Sequence, residues 1–575
     1  MRRGGWLQAR GREVAVTGAL DALGLALVLL AVACVAREPF RIHHDAASLL
    51  TSSLCWVEGR AGLHEMAGMN LPLALYFYAV PAGAAHVLRA DPVPVFSAFT
   101  LAVLLASLAA CRRLLGEGAP GSPEARAFLR AVLCGLLLFT LEGPELTFGQ
   151  REVFFLALVL PFVLVRWRRG EGAVPGPVAS GLCGLGAALG GLLKPQLLLA
   201  LLLVAVAPSA AGRPARFART PETMAFGTAC LAYALHFFLL PGAVREAFLA
   251  AVRGAAQGYR AYDAPLAQLL CRPAHLLLLV VAAAAVLAAR KEDADPFARL
   301  AAAFAGLGLG GALVFFLQRK GFPYHLVPEV AGAGLSVAAI AGSGAMAGLR
   351  GSFAARARPF AGPARLLAVA GAAGAALLAV LAISRLPERL EPVPRSAFEV
   401  LLAERTLPGE EVLVFSTSVF PASPALLRMG RRPFGKWISP FMQIAFAHAD
   451  DPKEAPPRYA ARDRMRPSER RFLDELGKAV LEAPPRIVLV ASRPPNQGLP
   501  TGFDLVEYLR AAGFLDGEMA GYARVAERAG YAVYRRQAPR PPRVGAAGRE
   551  VGTGGVTTPS RASPRSSPSA RAGSP

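Results

Sequence analysis

The sequence predicts a mainly helical, polytopic membrane bundle followed by a small C-terminal α/β domain outside the membrane. Three observations lead to this prediction. Hydrophobic residues make up 54% of the 575 residues and charged residues only 18%, which is more apolar surface than a soluble chain of this length buries. Many of the apolar residues fall in runs long enough to cross a bilayer as helices. Basic clusters separate these runs, and after residue 384 the pattern changes to strands and amphipathic helices.

The first apolar run, residues 14–36, follows Met1-Arg2-Arg3 and lacks a convincing small-residue cleavage site. We therefore expect it to remain as the first helix rather than to be removed as a signal peptide. Further runs raise the predicted number of spans to about eleven. These runs are 92–111, 128–145, 152–166, 174–193, 195–209, 222–241, 273–290, 299–317, 325–347 and 366–384.

The segment 71–88 is also apolar and long, and charge decides how it is interpreted. If it is not a span, the clusters from Arg112-Arg113 to Arg350-Arg365 all fall in cytoplasmic loops, whereas counting it as a span moves every cluster outside. Loops that stay in the cytoplasm retain Lys and Arg, so the first arrangement is favoured. We therefore expect an interfacial or re-entrant segment at 71–88, a cytoplasmic N-terminus and an outer C-terminal domain in the cytoplasmic (inner) membrane.

The formal net charge of +22 also bears on possible partners. A nucleic-acid-binding protein needs a basic stripe on a soluble face, but these basic clusters punctuate membrane segments. Nucleic acid is therefore excluded as a partner, and the lipid bilayer is expected. The seven cysteines have no C-x-x-C spacing, so neither a disulfide framework nor a zinc site is indicated, and no cofactor is expected.

The predicted domains are residues 1–384 in the membrane, 385–540 outside it and a disordered tail at 541–575, which is rich in Pro, Ser, Gly, Ala and Arg. The outer domain lacks a G-x-G-x-x-G or P-loop pattern, so nothing indicates nucleotide binding. Its predicted strands are 411–417, 486–492 and 531–534. Its predicted amphipathic helices are 468–482 and 503–512.

Asp45 is the most informative residue in the chain, because it lies just beyond the first apolar run in Arg41-Ile42-His43-His44-Asp45. A carboxylate there sits at the membrane–water boundary, where it can reach the head group of a lipid-linked substrate. The same topology places other polar residues at outer edges of the bundle. They are Gly149-Gln150-Arg151-Glu152, Lys194, the loop 243–272 and the segment from Gln318 to His325.

The order of outer-loop motifs resembles the GT-C superfamily of membrane glycosyltransferases, which includes the protein O-mannosyltransferases and the lipid A aminoarabinose transferase. The motifs are Asp45, Glu58-Gly59-Arg60, and Met69-Asn70-Leu71-Pro72-Leu73 running into Tyr76-Phe77-Tyr78. Further segments look like a bacterial branch of that superfamily, and the resemblance covers roughly residues 14–536. These segments are Phe148 to Glu152, Leu193-Lys194-Pro195, Gln318 to His325, Pro484-Pro485-Arg486 and Gly530 to Arg535.

The resemblance implies a GT-C-like bundle that moves a sugar from a polyprenyl-phosphate donor to a hydroxyl or amine of an extracytoplasmic acceptor, with inversion. Asp45 is then the expected base. Several members of the superfamily have an Asp-Glu pair where this chain has Asp45-Ala46, so a second carboxylate is expected from Glu65, Glu152 or Glu145. Stabilising the departing phosphate requires cations. The candidates are Arg151, Lys194, Arg319 and Lys320 for phosphate, and His43, His44, Asn70, Tyr324 and His325 for substrate, while Tyr76 and Tyr78 are placed to stack on a sugar.

Plainer interpretations stay open for several of these residues. Asp45 can cap the next short helix, and Arg151 with Glu152 can form a structural ion pair at a helix start. Lys194 can extend to the interface as a long amphipathic side chain. A metal held by His43, His44 and Asp45 is disfavoured, because adjacent histidines rarely both bind one ion.

Two other classes of function compete with the transferase. A transporter or flippase of an amphipathic solute is expected to show internal repeats and ionisable groups in mid-membrane, whereas this chain shows no repeat and gathers its charges at one edge. A non-catalytic envelope assembly factor stays open, because Asp45 lacks its usual acidic neighbour.

Overall fold

A computed structural model of the protein describes most of the chain. The described residues are 2–67, 70–116, 118–142, 147–173, 175–206, 218–289, 295–351, 394–437, 444, 447–448, 451, 456–492 and 499–537. The described residues up to Arg536 belong to one compact unit. The predicted tail at 541–575 and the predicted span 366–384 lie outside the described residues.

Helices occupy every predicted span that the structure describes. They are α1 (Arg2–Arg37), α2 (His44–Val57), α3 (Pro72–Leu88), α4 (Pro92–Leu114), α5 (Pro123–Glu142), α6 (Arg151–Gly170), α7 (Pro177–Leu192), α8 (Leu198–Val206), α9 (Pro221–Leu239), α10 (Gly242–Gly258), α11 (Leu266–Leu270), α12 (Pro273–Ala289), α13 (Pro296–Gln318) and α14 (Val327–Gly351). Short 3₁₀ turns at Pro195–Leu197, Tyr259–Tyr262 and Pro323–Leu326 connect some of them. The turns at 195 and 323 break the predicted spans there into a turn followed by a helix.

Five of the described helices are long and apolar enough to cross a membrane. They are Val14–Arg37, Pro92–Leu114, Pro221–Leu239, Pro296–Gln318 and the segment Pro323–Gly342. Shorter apolar helices lie at Pro72–Leu88, Pro177–Leu192, Pro195–Val204 and Ala274–Leu287. The chain is therefore a helical protein with several membrane-length apolar helices, and the number of about eleven spans stays a prediction.

The helix α6 forms the centre of the helical part, because its side chains from Glu152 to Trp167 are almost all buried. A helix that is apolar on every face must be surrounded by other elements. Two helices behind it, α13 and α14, approach closely through glycine. A Cβ on Gly332 would lie 2.4 Å from the backbone nitrogen of Gly308, so these helices pack backbone against backbone.

One end of the helical part is held by Arg–carboxylate pairs, each with two N–H···O contacts. Their distances are 2.9 and 2.8 Å for Arg130–Asp21, 2.7 and 2.9 Å for Arg169–Glu222, and 2.7 and 3.1 Å for Arg299–Glu171. The paired donors match the fork of a carboxylate. Part of the basic excess predicted for cytoplasmic loops is thus used to join helices.

The segment 71–88 is a single helix, α3, that contains Pro81. Midway along it, Tyr78 is fully buried, stacks on Phe96 with ring centroids 5.3 Å apart and donates its hydroxyl to the Gly149 carbonyl. At the start of α4, Ser97 donates to the carbonyl of Pro39, just after α1. The middle of α3 therefore lies beside the segments that follow α1 and precede α6, where the candidate polar residues are found.

The C-terminal domain is an α/β fold, as predicted. Its helices are α15 (Ala397–Arg405), α16 (Ala422–Arg428), α17 (Pro467–Glu482) and α18 (Leu505–Ala511), and its strands are β1 (Glu411–Phe415), β2 (Arg432–Pro433), β3 (Ile487–Ala491), β4 (Tyr522–Arg528) and β5 (Tyr531–Arg536). The sheet order is β2-β1-β3-β5-β4, with β2, β1 and β3 parallel and β5 antiparallel to both neighbours. The sequence did not indicate β4, because it is a largely exposed edge strand rich in charges.

The C-terminal domain contacts the helical part next to Asp45. Leu427 of α16 belongs to the same apolar core as Ile42 and Ala46, and the Phe420 ring lies 6.2 Å from the ring of His44. A further contact joins the ammonium of Lys436 to Glu65 in the loop after α2, at 3.8 Å. The domain therefore covers one side of the region around the start of α2.

Candidate functional site

The site begins at the start of α2, where His43 rather than Asp45 caps the helix. The Nδ1 atom of His43 accepts the backbone N–H of Asp45 at 3.0 Å. The Asp45 side chain is therefore not needed as a cap and stays about one quarter exposed, 3.5 Å from the imidazole of His44. A carboxylate in the first turn is stabilised by the helix N-terminus.

Gln150, which immediately precedes α6, joins two of these residues. Its amide nitrogen lies 3.1 Å from His43 Nε2 and 3.5 Å from an oxygen of Asp45, and the side chain is 1% exposed. Gly149 makes this position possible, because its φ is +74° and a Cβ there would lie 2.4 Å from the Phe96 ring. Only glycine adopts such a conformation readily.

A buried pair of charges also lies near Asp45. The ammonium of Lys194 is 2.6 Å from an oxygen of Glu152, and both side chains are buried. Tyr324 connects this pair to Asp45, since its hydroxyl interacts with the Asp45 carboxylate and its ring lies 5.9 Å from the Lys194 ammonium. The neighbouring His325 is buried, 3.9 Å from Glu152.

Arg151 lies within the same cluster. It donates a hydrogen bond to the side-chain oxygen of Asn70, in the loop before α3, and interacts electrostatically with Asp45 and Glu152. The structure therefore brings together residues from five segments of the chain. They are His43, His44, Asp45, Asn70, Gln150, Arg151, Glu152, Lys194, Tyr324 and His325, and the name polar cluster is used for this set below.

The charges of the polar cluster alter the acidity of the residues at the start of α2. Burial acts to raise the pKa of the Asp45 carboxyl, but His44, His43, Arg151 and the Tyr324 hydroxyl outweigh it and bring that pKa to about 2. Burial lowers the pKa of His43 to about 4, even though the Asp45 carboxylate opposes this. At neutral pH the site therefore holds an ionised Asp45 beside a neutral His43.

Four buried atoms of the polar cluster make no hydrogen bond within the described part of the chain. They are Gln150 Oε1, Arg151 Nε, Glu152 Oε2 and His325 Nδ1. Buried polar atoms in native proteins are nearly always satisfied by protein, water or ligand. Two of these atoms are obligate acceptors and one is an obligate donor. A group that both donates and accepts hydrogen bonds, such as a hydroxyl, suits this set.

Within the described ranges, only one set of three or more side chains is placed to bind a metal ion. Ligand atoms of His43, His44 and Asp45 all lie within 4.8 Å of one another. The Nδ1 atom of His43 already accepts the Asp45 amide and contacts the Gln150 amide nitrogen, which also lies 3.1 Å from His43 Nε2. These three residues are the ones that would hold an ion.

Two predicted phosphate ligands, Arg319 and Lys320, are not members of the polar cluster and share a carboxylate partner of their own. The ammonium of Lys320 contacts Asp263 and donates to the carbonyl of Tyr259 at 2.5 Å, while Arg319 lies 3.9 Å from Asp263. Arg319 is more than half exposed. These contacts fix the loop after α10 to the turn after α13.

The other predicted carboxylates also lie elsewhere. Glu65 accepts the N–H of Gly62 at 2.8 Å and faces Lys436 of the C-terminal domain. Glu145 lies outside the described residues. Tyr76, a predicted sugar platform, contacts Trp56 and His236 instead, with its hydroxyl 3.2 Å from His236 Nε2.

One member of the polar cluster, Gln150, and one neighbour of it, Tyr259, were not among the sequence candidates for the site. Gln150 stood in the quoted motif Phe148 to Glu152, but an uncharged amide gave no signal of its own. Tyr259 interacts electrostatically with Asp45 and Tyr324, and burial raises the pKa of its hydroxyl. The sequence placed Tyr259 in the predicted outer loop 243–272, and only the tertiary structure shows that it interacts with Asp45.

A scan of the chain against models of known protein families finds no match, and a search of curated proteins finds none either.

Proposed function

We propose that this protein is an integral-membrane glycosyltransferase of GT-C type, which moves a sugar from a polyprenyl-phosphate donor to an extracytoplasmic acceptor with inversion. The polar cluster supports the proposal. It contains an ionised, partly exposed carboxylate, Asp45, next to buried atoms whose mixed donor and acceptor character suits a hydroxylated ligand. A sugar presents hydroxyl groups of that kind, whereas an apolar solute presents none.

The proposed reaction forms one bond and breaks one. The acceptor oxygen attacks the anomeric carbon of the sugar, the bond from that carbon to the phosphate oxygen breaks, and the electron pair leaves with the polyprenyl phosphate. Asp45 accepts the proton of the attacking hydroxyl, or orients that hydroxyl while the proton passes to water. A low pKa makes Asp45 a weak base, but it keeps the carboxylate charged over the whole physiological pH range.

Stabilising the leaving phosphate falls mainly to Arg151 in this proposal. The charges of Lys194 and Lys320 are already balanced by Glu152 and Asp263. The guanidinium of Arg151 donates to the neutral amide of Asn70, while Asp45 and Glu152 interact with it electrostatically. Its Nε makes no hydrogen bond within the described residues, so this group can donate to the phosphate. The planar guanidinium is suited to contact two phosphate oxygens at once.

The membrane placement belongs to the same proposal. About eleven spans, an N-terminus in the cytoplasm and the C-terminal domain outside would put the polar cluster at the outer face of the inner membrane. The start of α2 follows the apolar helix α1 directly, which is the position needed to meet a lipid-linked head group.

A second candidate, transport, has one specific observation in its favour. His275 and Glu329 form a buried pair between α12 and α14, with His275 Nδ1 2.6 Å from a Glu329 oxygen. The other polar atom of each side chain makes no hydrogen bond within the described residues. Buried ionisable pairs among apolar helices often mark proton or solute pathways.

The deciding experiment incubates membranes that contain the protein with a panel of radiolabelled polyprenyl-phosphate sugars and measures release of free polyprenyl phosphate. Asp45→Asn is compared with Asp91→Asn, which changes an exposed carboxylate at the N-cap of α4, where Asn also caps well. We expect Asp45→Asn to reduce turnover by about 10²–10⁴-fold and Asp91→Asn to leave it unchanged.

Other outcomes separate the alternatives. Turnover that survives Asp45→Asn would retain the transferase and transfer the role of base to Glu152. Absence of turnover with every donor, together with solute uptake into vesicles that Glu329→Gln abolishes, would replace the transferase by the transporter.

A further inference from the structure

His448 lies at the meeting point of three segments of the C-terminal domain. Its Nδ1 atom is 2.6 Å from an oxygen of Asp451, and its Nε2 atom is 3.2 Å from an oxygen of Glu469 on α17. Its ring packs against Phe503 and Tyr508, with centroids 5.0 and 6.1 Å away. The histidine is 9% exposed, so these contacts form inside the domain rather than in solvent.

The two carboxylates fix the protonation state of the ring. A neutral imidazole carries one N–H and can donate to only one of them, whereas an imidazolium donates to both. We infer that His448 is the protonated centre of an acid-stabilised clasp, which holds His448 and Asp451 against α17 and α18 and opens as the pH rises above neutrality. The inference concerns the C-terminal domain and does not depend on glycosyl transfer.

The groups around His448 give the direction of the effect. Asp451 is also paired with Arg466 at 2.6 Å, and the hydroxyl of Tyr508 interacts electrostatically with Glu469. Burial acts to lower the pKa of His448, but the hydrogen bonds and charges of Glu469 and Asp451 outweigh burial and raise it. A raised pKa means that the clasp is complete below about pH 6.5 and is lost as the pH rises through the folded-state value.

The sequence simplifies the test, because the C-terminal domain has a single histidine and no cysteine. His448 is the last histidine of the chain, the one before it being His325, and the last cysteine is Cys271. Carboxyl groups ordinarily titrate below pH 5, and tyrosines, lysines and arginines above pH 9. His448 is therefore the side chain of the C-terminal domain expected to change charge between about pH 6 and 8.5.

The test is hydrogen exchange of the full-length protein in nanodiscs at about pH 6 and pH 8.5, corrected for intrinsic exchange rates. Peptides that contain residue 448 are compared with peptides from β3, the central strand. We expect protection around residue 448 to fall by about tenfold at the higher pH and β3 to stay protected. His448→Gln should show the low protection at both pH values, while His64→Gln, at an exposed histidine outside the domain, should behave as the wild type.

Two results would overturn the inference. One is equal protection around residue 448 at both pH values in the wild type. The other is a pH-dependent loss that persists in His448→Gln. If that variant loses protection in β3 as well, it has not folded, and Glu469→Gln then decides, because removing one carboxylate must move the opening to lower pH.

Discussion

The buried pair of Lys194 and Glu152 offers the sharpest test of how the polar cluster is built. At 2.6 Å, two unit charges attract each other by about 6 kcal/mol at an effective dielectric constant of 20. Desolvation opposes this attraction, so the net contribution of the pair is small, but removal of one partner leaves a buried charge. We therefore expect Lys194→Met and Glu152→Gln each to lower the free energy of unfolding by about 3–5 kcal/mol.

The double variant tests whether the charge of Lys194 is paired with Glu152 or is an independent charge available to bind phosphate. With both charges removed, most of the stability should return, which gives a coupling energy of at least about 2 kcal/mol. The assay is SDS-driven unfolding in mixed micelles, followed by tryptophan fluorescence. The matched control is Lys478→Met with Glu482→Gln, an exposed pair at 3.8 Å on α17, for which we expect a coupling below about 0.5 kcal/mol. Additive losses in the Lys194 cycle, or an unchanged stability of Lys194→Met, would refute the interpretation.

Three further outcomes are expected. Gly149→Ala should destabilise the protein by about 1–3 kcal/mol in the same unfolding assay, because a φ of +74° is strained for alanine and the new Cβ would clash with the Phe96 ring. An unchanged stability would contradict the described turn. Burial lowers the pKa of His43 to about 4, so the unfolded chain binds a proton that the folded protein excludes. The free energy of unfolding should therefore drop by about 3 kcal/mol as the pH falls from about 6.5 to 4. In a pH series of melting curves, His43→Gln should flatten that slope. Lys320→Met and Asp263→Asn should each release the loop after α10 and increase its proteolysis to a similar extent, whereas a loss of donor binding in Lys320→Met alone would point to a phosphate contact.

The sequence by itself predicted most of the long helices and the α/β class of the C-terminal domain. Apolar runs such as 92–111 and 299–317 have the length and composition of helices whose backbone groups are satisfied internally, and the structure has helices there. The strands at 411–417 and 486–492 were also predictable, because short runs of β-branched and apolar residues end at turn signals. These features depend on local composition, which the sequence carries directly.

Charge neutralisation could not be read from the sequence. Lys194 and Lys320 look alike there, as basic residues at the edges of apolar runs, but one pairs with Glu152 inside the polar cluster and the other with Asp263 in the loop after α10. The partner of a charge depends on which segments pack together, and those segments are tens of residues apart. The same reason hid Gln150, whose amide matters only because Asp45 lies beside it.

The sequence thus predicted the long apolar helices and three of the five strands, and it indicated that Asp45 follows the first apolar helix. Only the tertiary structure decided that His43 caps α2 and leaves the Asp45 carboxylate uncommitted as a cap. It also decided that His448 lies between two carboxylates, one of them on α17. The physical reason is that hydrophobic periodicity is a property of neighbouring residues, whereas hydrogen bonds and charge pairs between segments arise from the packing of the whole chain.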